Sequence, residues 1–310
     1  MSAFVWLTWR QHRWTIIGSA ILVMAAAYGL LSAEVRKQTS IDSMPMSGFY
    51  GLMVQLSFGG VIGVFWGAPL IARELEERTY FVAWGQDVSP VKWLRGKALV
   101  LGVLAVVLGA VAGIGDGHVG DNKAWSAFEG HPAVQAGYAL YGLALGVLIG
   151  LLSRHVVTAM AATLVMYTLS RTLLTVLLRD HYLPVSRSVA RWDSTPVVPV
   201  GAVELGNGFI GKDLNPVGVP DVCATLSNPN SCMRSWGGAI GTYVEFQPVE
   251  RIAAFRYIEF GLYVVLAAVL FALTFRLLRH GGGWKPSRSH RRITSEVEPV
   301  PASEPAAAQG

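Results

Sequence analysis

Long apolar runs recur along this chain, and polar segments separate them. Six runs have close to the roughly 20 residues that an α-helix needs to cross the hydrocarbon core of a bilayer. They cover residues 16–33, 50–71, 98–114, 133–152, 156–178 and 258–278. The pattern predicts an all-α integral membrane protein in which residues 1–278 form a domain of six transmembrane helices.

Composition supports a membrane protein rather than a soluble one. Of the 310 residues, 52% are hydrophobic and only 15% are charged, and the mean hydropathy is +0.43. A soluble globular chain of this length carries more charge. The net charge of +5 could suggest nucleic acid, but Lys and Arg flank the apolar runs instead of gathering on one domain. The lipid bilayer is therefore the predicted partner, and no nucleic acid is expected.

The distribution of Lys and Arg predicts the orientation in the cell membrane. If the N-terminus is inside, the cytoplasmic segments carry 14 Lys and Arg and the two short outer loops carry 3. Short basic loops stay in the cytoplasm, whereas a loop as long as 179–257 crosses largely regardless of its charge. We therefore expect both termini and the segment 72–97 to be cytoplasmic, and 179–257 to be extracytoplasmic.

Both ends of the chain are predicted to lie at the cytoplasmic membrane surface. The first 14 residues mix Trp6, Trp9 and Trp14 with two arginines, which is typical of a segment at headgroup level. We expect an interfacial elbow before the first span, and a cleaved signal peptide is the competing interpretation. Residues 279–310 are predicted to be a disordered cytoplasmic tail, because they combine Gly, Pro and charge with few apolar residues.

The segment 72–97, between the second and third spans, predicts a cytoplasmic helix-turn-helix. Glu74 lies four residues before Arg78, the favourable order for an intrahelical ion pair. Ser89 is expected to cap a second helix whose first residue is Pro90, and this helix would continue into the third span. On these residues alone, an amphipathic loop helix that only anchors at the interface is an equal alternative.

The same segment resembles the cytoplasmic connector of exporter-type (type 2) ABC transporter permeases. That connector has an acidic patch, a Thr, a Ser-Pro or Arg-Pro pair and then a Lys. The matching residues here are Glu74, Glu76, Thr79, Ser89, Pro90, Arg95, Gly96 and Lys97. Arg78 departs from the pattern, because these permeases usually have Gly before the Thr. A second segment, Phe246–Arg251 with Arg256–Glu259, resembles the one before the last span in an actinobacterial branch of the family.

The resemblance implies the membrane-spanning permease subunit of an ATP-driven ABC exporter. In such permeases the connector docks on a separate ATPase subunit, which binds ATP and magnesium, and transmits its closure to the membrane. A second permease copy, in a homodimer or a heterodimer, is also implied, with no enzymatic activity and no directly bound cofactor in this chain. The residues expected to couple it to the ATPase are Glu74, Glu76, Arg78, Thr79, Ser89, Pro90, Arg95 and Lys97.

Polar residues inside the spans are candidates for a translocation path or a gate. Arg171 lies towards the outer end of the fifth span, where it either snorkels to the headgroups or pairs with Glu259 or Asp180. Gln55 in the second span and Glu259 in the sixth are either points on a path or contacts between helices. Glycines four residues apart are expected to pack helices closely within one chain, in preference to a subunit seam. They are Gly59, Gly63 and Gly67 in the second span, and Gly142, Gly146 and Gly150 in the fourth.

The long loop 179–257 is predicted to be an irregular extracytoplasmic domain. It contains both cysteines, Cys223 and Cys232, which can form a disulfide if the loop is exported. A non-transporting sensor or scaffold that binds a ligand through this loop is the alternative function. Residues Gly206–Lys212 have phosphate-loop spacing, but Asp213 stands where Ser or Thr must bind magnesium, so this motif is rejected. No spacing of His and Cys predicts a metal site, and the sequence does not identify a substrate.

Overall fold

The structure is a computed structural model, and it describes residues 2–31, 46–77, 89–114, 125, 128–225 and 229–280. Three predictions therefore lie partly or wholly outside the described residues. They concern Arg78, Thr79 and all but the first two residues of the predicted tail 279–310.

Long helices account for most of the described residues. In chain order they are α1 (Ser2–Leu31), α2 (Met46–Ile62), α3 (Ala68–Glu76), α4 (Pro90–Ile114), α5 (Pro132–Ser153) and α6 (Val156–Leu177). Two short helices follow, α7 (Asp221–Ala224) and α8 (Pro229–Trp236), and then the long α9 (Ile252–Arg279). A π-helical turn at Gly63–Gly67 joins α2 to α3, so these two helices form one continuous rod.

Five helical segments of the described chain are long and apolar enough to cross a membrane. They are Met53–Glu76, Pro90–Ile114, Pro132–Ser153, Val156–His181 and Val249–Arg279. These segments correspond to the second to sixth predicted spans, and they support a membrane protein. The first predicted span, residues 16–33, falls largely on α1 and is not among the five, so six crossings stay a prediction.

The N-terminal helix corrects one expectation. The predicted interfacial elbow is wrong, because α1 runs as one helix from Ser2 to Leu31. No Gly or Pro occurs between Ser2 and Ile17, so nothing in the sequence interrupts the backbone hydrogen bonds there. A buried hydrogen bond of 3.1 Å from Trp66 Nε1 to Ser19 Oγ fixes α1 against the α2–α3 rod.

Helix α5 lies at the centre of the bundle and packs against α2, α3, α4, α6 and α9. The predicted glycine faces meet along it and form what we call the glycine seam, whose members are Gly59, Gly63, Gly67, Gly142, Gly146 and Gly150. A Cβ atom on Gly142 would lie 1.9 Å from the carbonyl oxygen of Gly59, and one on Gly146 would lie 2.2 Å from that of Gly63. Only glycine permits this approach, so the prediction of close packing within one chain is confirmed.

Residues 186–247 form a small sheet domain between α6 and α9. Its antiparallel strands β1 (Ser186–Arg191), β2 (Val203–Ile210), β3 (Pro216–Val217) and β4 (Gly241–Gln247) are arranged in the order β1-β4-β2-β3. A disulfide between Cys223 and Cys232 joins α7 to α8, and Phe209 and Met233 pack beside it. The prediction of an irregular loop is wrong, because β1 and β2 each pair with the distant β4. The described fold is mostly helical rather than all-α.

Candidate functional site

Charged side chains gather at the two ends of the helix bundle. We call the first group the connector site; it consists of Glu74, Glu76 and Lys97, where α3 ends and α4 and α6 begin. We call the second group the charge network; it consists of Glu129, Tyr138, Arg171, Arg179 and Glu259, where α5 and α9 begin and α6 ends.

The helices that flank the predicted turn are in place at the connector site. Helix α3 continues the second span beyond its predicted boundary, and α4 begins at Pro90. The Ser89 hydroxyl oxygen accepts a hydrogen bond of 3.3 Å from the Lys92 N–H, so the predicted N-cap of this helix is confirmed. The turn between them, with Arg78 and Thr79, lies outside the described residues, and the helix-turn-helix stays a prediction.

An ion pair joins the two helices that flank the turn. Lys97 Nζ lies 3.4 Å from Glu74 Oε1, and the Lys97 side chain is only 2% exposed. The ammonium group also lies 4.0 Å from the centroid of the Trp93 ring, which favours a cation. Arg95, another predicted coupling residue, points elsewhere, because it is exposed and lies 5.6 Å over the Phe275 ring of α9.

Glu76 connects α3 to the start of α6. Its Oε2 accepts a hydrogen bond of 2.7 Å from the backbone N–H of Val156, the first residue of α6. Its Oε1 lies 3.8 Å from His155 Nδ1. A carboxylate in this position satisfies a free helical N–H and interacts favourably with the helix dipole. The predicted coupling residues Glu74 and Glu76 therefore attach α3 to two different spans.

A cavity of about 550 Å³ lies beside the connector site, between α1 and the ends of α3 and α4. Its polar lining consists of His12, Thr15, Arg73, Glu74, Glu77 and Lys97. Burial lowers the pKa of His12 to about 4, and the positive charges of Lys97 and Arg73 act in the same direction, against the opposite effect of Glu74. His12 is therefore neutral at physiological pH.

The charge network links three helices through two arginines and two glutamates. Arg179 lies between the two carboxylates, with Nη2 2.6 Å from Glu129 Oε1 and 2.8 Å from Glu259 Oε1. Its Nε donates a further hydrogen bond of 3.0 Å to Glu259 Oε2. Arg171 pairs with Glu129, and the Tyr138 hydroxyl contacts both carboxylates. Opposite charges are balanced, as buried ionised groups require.

Glu129 is held in its charged form by this arrangement. Burial alone would raise the pKa of Glu129, but the charges of Arg171 and Arg179 outweigh it. Hydrogen bonds from Arg179 and Tyr138 add to the effect, so the pKa of Glu129 is lowered below its ordinary value. Glu129 therefore stays ionised at neutral pH.

The partner of Arg171 differs from the prediction. The sequence offered Glu259 or Asp180 as partners and snorkelling as the alternative, but Arg171 pairs with Glu129 and its side chain is only 11% exposed. Its guanidinium also stacks on the Tyr138 ring at 3.5 Å from the centroid. Snorkelling is therefore excluded by burial, and Glu259 is instead the partner of Arg179.

Gln55 acts as a contact between helices. It is 2% exposed, and its Nε2 donates a hydrogen bond of 2.8 Å to the backbone carbonyl oxygen of Ala112 near the end of α4. The sequence left two roles open for Gln55, a contact between helices or a point on a translocation path. The described geometry favours the contact between helices.

Glu129, Tyr138 and Arg179 were not predicted from the sequence as members of the charge network. Glu129 and Arg179 were assigned to loops, outside the predicted spans, where charge needs no partner. A signal was nevertheless present, because the predicted topology places the segment before α5, the end of α6 and the start of α9 at the same membrane face. Charges that meet at one depth near the hydrocarbon are expected to pair.

The sheet domain offers no phosphate cradle at its glycine-rich segment. Residues 206–210 of that segment lie in strand β2, and a turn rather than a helix N-terminus follows. Among the described residues, no group of three or more His, Cys, Asp or Glu side chains could hold a metal ion.

Comparison with known protein families gave a match over part of the chain. A family described as "ABC-2 membrane transporter related" matches residues 37–179, slightly less than half of the chain. The matched region contains the connector site, the glycine seam and all of the charge network except Glu259, and it ends before the sheet domain. No curated protein and no solved structure matches the chain. The family match supports an ABC-2 type permease, and with the apolar helices it supports a membrane protein.

Proposed function

We propose that this chain is the membrane-spanning permease subunit of an ATP-driven ABC exporter. It moves a substrate across the cell membrane with a separate ATPase subunit, which binds ATP and magnesium. Two permease copies, identical or merely similar, form the transporter, and the connector 72–97 and both chain termini face the cytoplasm. The family match over residues 37–179 and the excess of Lys and Arg on that side support this proposal.

One observation carries the mechanism, namely that α3 is tied to two other spans at the connector site. Glu74 holds α4 through Lys97, and Glu76 holds the first turn of α6 through Val156. A force that displaces the end of α3 therefore acts on three spans at once. Closure of the ATPase subunits against the connector would tilt these helices together as a rigid group.

Exposure divides the connector residues between docking and transmission. The side chains of Arg73 and Glu77 are 67% and 50% exposed, whereas that of Glu74 is 17% exposed. A buried carboxylate that already has a partner is poorly placed to bind another subunit. Docking on the ATPase therefore falls to Arg73, Glu77 and the turn that follows, and transmission falls to Glu74. Glu76 is 46% exposed, and it is assigned to transmission by its hydrogen bond to the Val156 N–H rather than by burial.

Two alanine variants test this division in the full transporter complex. Glu76→Ala should leave copurification of the ATPase unchanged but lower the ATP hydrolysis that depends on the permease. Glu77→Ala, which removes an exposed carboxylate one position away, should instead lower copurification. If Glu76→Ala preserves both quantities, transmission through this contact is refuted, and if no ATPase copurifies with the unmodified chain, the permease assignment itself fails.

The charge network serves as the gate at the opposite end of the bundle. It joins α5, α6 and α9 through Arg171, Arg179 and Glu259, and Arg179 stands directly before the sheet domain. A network with two arrangements of its ion pairs can hold a path closed and release it when the spans tilt. Gln55 is not required for this gate, because its hydrogen bond to α4 lies in another contact.

The second candidate function is a sensor or scaffold that binds a ligand through residues 179–257. The ordered, disulfide-linked sheet domain favours it, since an irregular loop would offer no defined surface. This alternative predicts that cellular function survives replacement of residues 78–88 by a Gly-Ser segment of equal length. The permease proposal predicts loss of function in that variant, so the experiment separates the two.

A further inference from the structure

An open, apolar groove runs along α4 and has a basic rim at its connector end. Its floor and walls come from α4, Leu140 of α5, and Phe271 and Phe275 of α9, with Arg95 at one end and Val107 at the other. The groove has a volume of about 720 Å³ and is almost entirely apolar apart from Arg95. Leu99, Val103 and Val107 along it are half or more exposed, so the groove opens outwards.

The length of this groove fits one leaflet of a bilayer. The twelve steps from Arg95 to Val107 extend about 18 Å along an α-helix. One leaflet contributes about 15 Å of hydrocarbon, half of the roughly 30 Å core. An acyl chain that begins at Arg95 would therefore end near the bilayer midplane, in contact with Val107.

The basic rim gives the groove a preference for one headgroup charge. Lys92 and Arg95 lie one turn apart on α4, and Arg279 lies one turn beyond Phe275 on α9. All three side chains belong to exposed residues, and none forms a salt bridge with a carboxylate of the described chain. Stacking on the Phe275 ring holds the Arg95 guanidinium at the mouth of the groove.

We propose that this groove binds one anionic phospholipid, with its phosphate on Arg95 and Lys92 and one acyl chain along Leu99 to Val107. A second copy of the chain is a poorer occupant, because a symmetric contact would bring two identical basic rims together. The proposal does not depend on transport or on the ATPase.

A photoactivatable lipid tests the site in the full chain, reconstituted in nanodiscs of phosphatidylcholine. The probe is phosphatidylglycerol with a diazirine in its acyl chain, compared with phosphatidylcholine that carries the same group. We expect peptides containing residues 99–107 to be labelled about fivefold more by the anionic probe, the effect of one cation near a membrane surface. Equal labelling by both probes would overturn the headgroup preference, and no labelling by either would show that another chain covers the groove.

Variants separate the rim from the groove. Arg95→Gln should reduce labelling by the anionic probe about fivefold and leave the neutral probe unchanged, whereas Arg95→Lys should retain the preference. Arg13→Gln is the matched control, since Arg13 is also exposed and stacks on a ring, that of Trp14, at 5.3 Å. A loss of labelling in the control equal to that of Arg95→Gln would contradict the site.

Filling the groove gives a second test that does not depend on charge. A Cβ on Gly102 would meet Leu140 Cδ1 at 3.7 Å, an ordinary contact, so Gly102→Leu can place its side chain in the groove without moving the backbone. This variant should lose labelling of residues 99–107 by both probes while eluting as the unmodified protein does in size-exclusion chromatography. Persistent labelling in a folded Gly102→Leu protein would refute the groove as the binding site.

Discussion

At the connector end of the bundle, Glu74 and Lys97 form one ion pair of 3.4 Å beside a cavity of about 550 Å³. At the opposite end, two arginines and two glutamates share several shorter contacts under a layer of aromatic rings. Both ends hold buried charge, but only the second holds it in a closed network. One end of this bundle therefore holds its buried charges in pairs that must be exchanged before the proposed gate can open, while the other end presents the exposed side chains of Arg73 and Glu77.

The two ends are not independent, because the glycine seam runs between them. At one end of the seam, a Cβ on Gly59 would meet the Tyr138 backbone; at the other, one on Gly150 would meet Ala68 at the start of α3. Backbones in direct contact transmit displacement with little loss, since no side chain can rotate to absorb it. Substitutions in the charge network, the glycine seam and the connector site should therefore lower the free energy of unfolding, and the loss should decrease in that order.

The largest effect is expected from Arg179→Met in the charge network. The substitution removes the contacts to both carboxylates, so the buried Glu259 loses its ion pair with Arg179. Removing one partner of a buried pair typically costs about 3–5 kcal/mol. The free energy of unfolding, from a denaturant titration in detergent micelles, should fall by this amount.

The control for the network is Arg187→Met in the sheet domain. Arg187 lies 2.6 Å from Glu245 across β1 and β4, but its side chain is 35% exposed. An ion pair open to solvent contributes about 1 kcal/mol or less. If the two arginine variants lose equal stability, burial does not distinguish the network from an ordinary surface pair.

A smaller loss is expected from Gly142→Ala in the glycine seam. The new methyl group would lie 1.9 Å from the Gly59 carbonyl oxygen, so α5 and α2 must move apart. Overpacking of this kind costs about 1–3 kcal/mol. The same unfolding titration should detect it.

Gly18→Ala on α1 is the matched control for the seam, because nothing lies within 4 Å of its added Cβ. Alanine there should leave stability unchanged or raise it slightly, since alanine favours a helix. An equal loss in both variants would mean that the close approach of helices at Gly142 does not determine the result.

Acidification should affect the connector end before the charge network. The pKa of His12 is about 4 in the folded chain and 6.5 ordinarily, so the unfolded chain binds more protons between these values. The stabilisation by neutral His12, which faces Arg73 and Glu74 of α3 and Lys97 of α4, is complete above pH 6.5 and decreases towards pH 4. Unfolding free energy should fall by about 2 kcal/mol from pH 7 to pH 5.

The variant His12→Gln isolates this contribution from other titrating groups, including His131, whose pKa burial and Arg256 also lower. The decrease in unfolding free energy between pH 7 and pH 5 should be smaller in His12→Gln than in the unmodified protein. Glu129 should not contribute in this range, because its pKa lies below the ordinary 4.5 and its stabilisation is lost only at lower pH. An unchanged pH profile in His12→Gln would contradict the assignment.

The sequence predicts local features of both ends better than the pairing between them. The helix start at Ser89 and Pro90 depends on backbone chemistry within one turn, and the glycine faces depend on a four-residue spacing. Both appear in the described structure as expected. The partner of Arg171 was missed because Glu129 lies 42 residues away, and only the folded bundle brings the two to one depth.

The sheet domain was missed for the same reason. A strand such as β4 is stable only when partners cover its edges. Those partners, β1 and β2, lie on the N-terminal side of two short helices and a disulfide. Their register, with Ser186 opposite Phe246, is set by tertiary pairing that the order of residues alone does not reveal.

The smallest effect, and the one closest to the proposed mechanism, is expected at Glu76. Its side chain is 46% exposed, so the lost hydrogen bond to Val156 should cost about 0.5–1 kcal/mol in Glu76→Ala. Hydrogen exchange of the first turn of α6 should rise by a factor of about 2–5, the same free energy expressed as a rate. In Glu76→Gln the exchange rate should rise less, since an amide oxygen can still accept a hydrogen bond from the Val156 N–H.

Glu77→Ala is the control for this contact, because Glu77 pairs only with the exposed Arg73 among the described residues. It should leave exchange in α6 unchanged. Faster exchange in Glu76→Ala together with an unchanged global unfolding free energy would mean that this end loosens locally, as a contact that transmits movement must. If Glu76→Ala instead lost as much global stability as Arg179→Met, both ends would be equally rigid. The division between a closed network and an open connector would then fail.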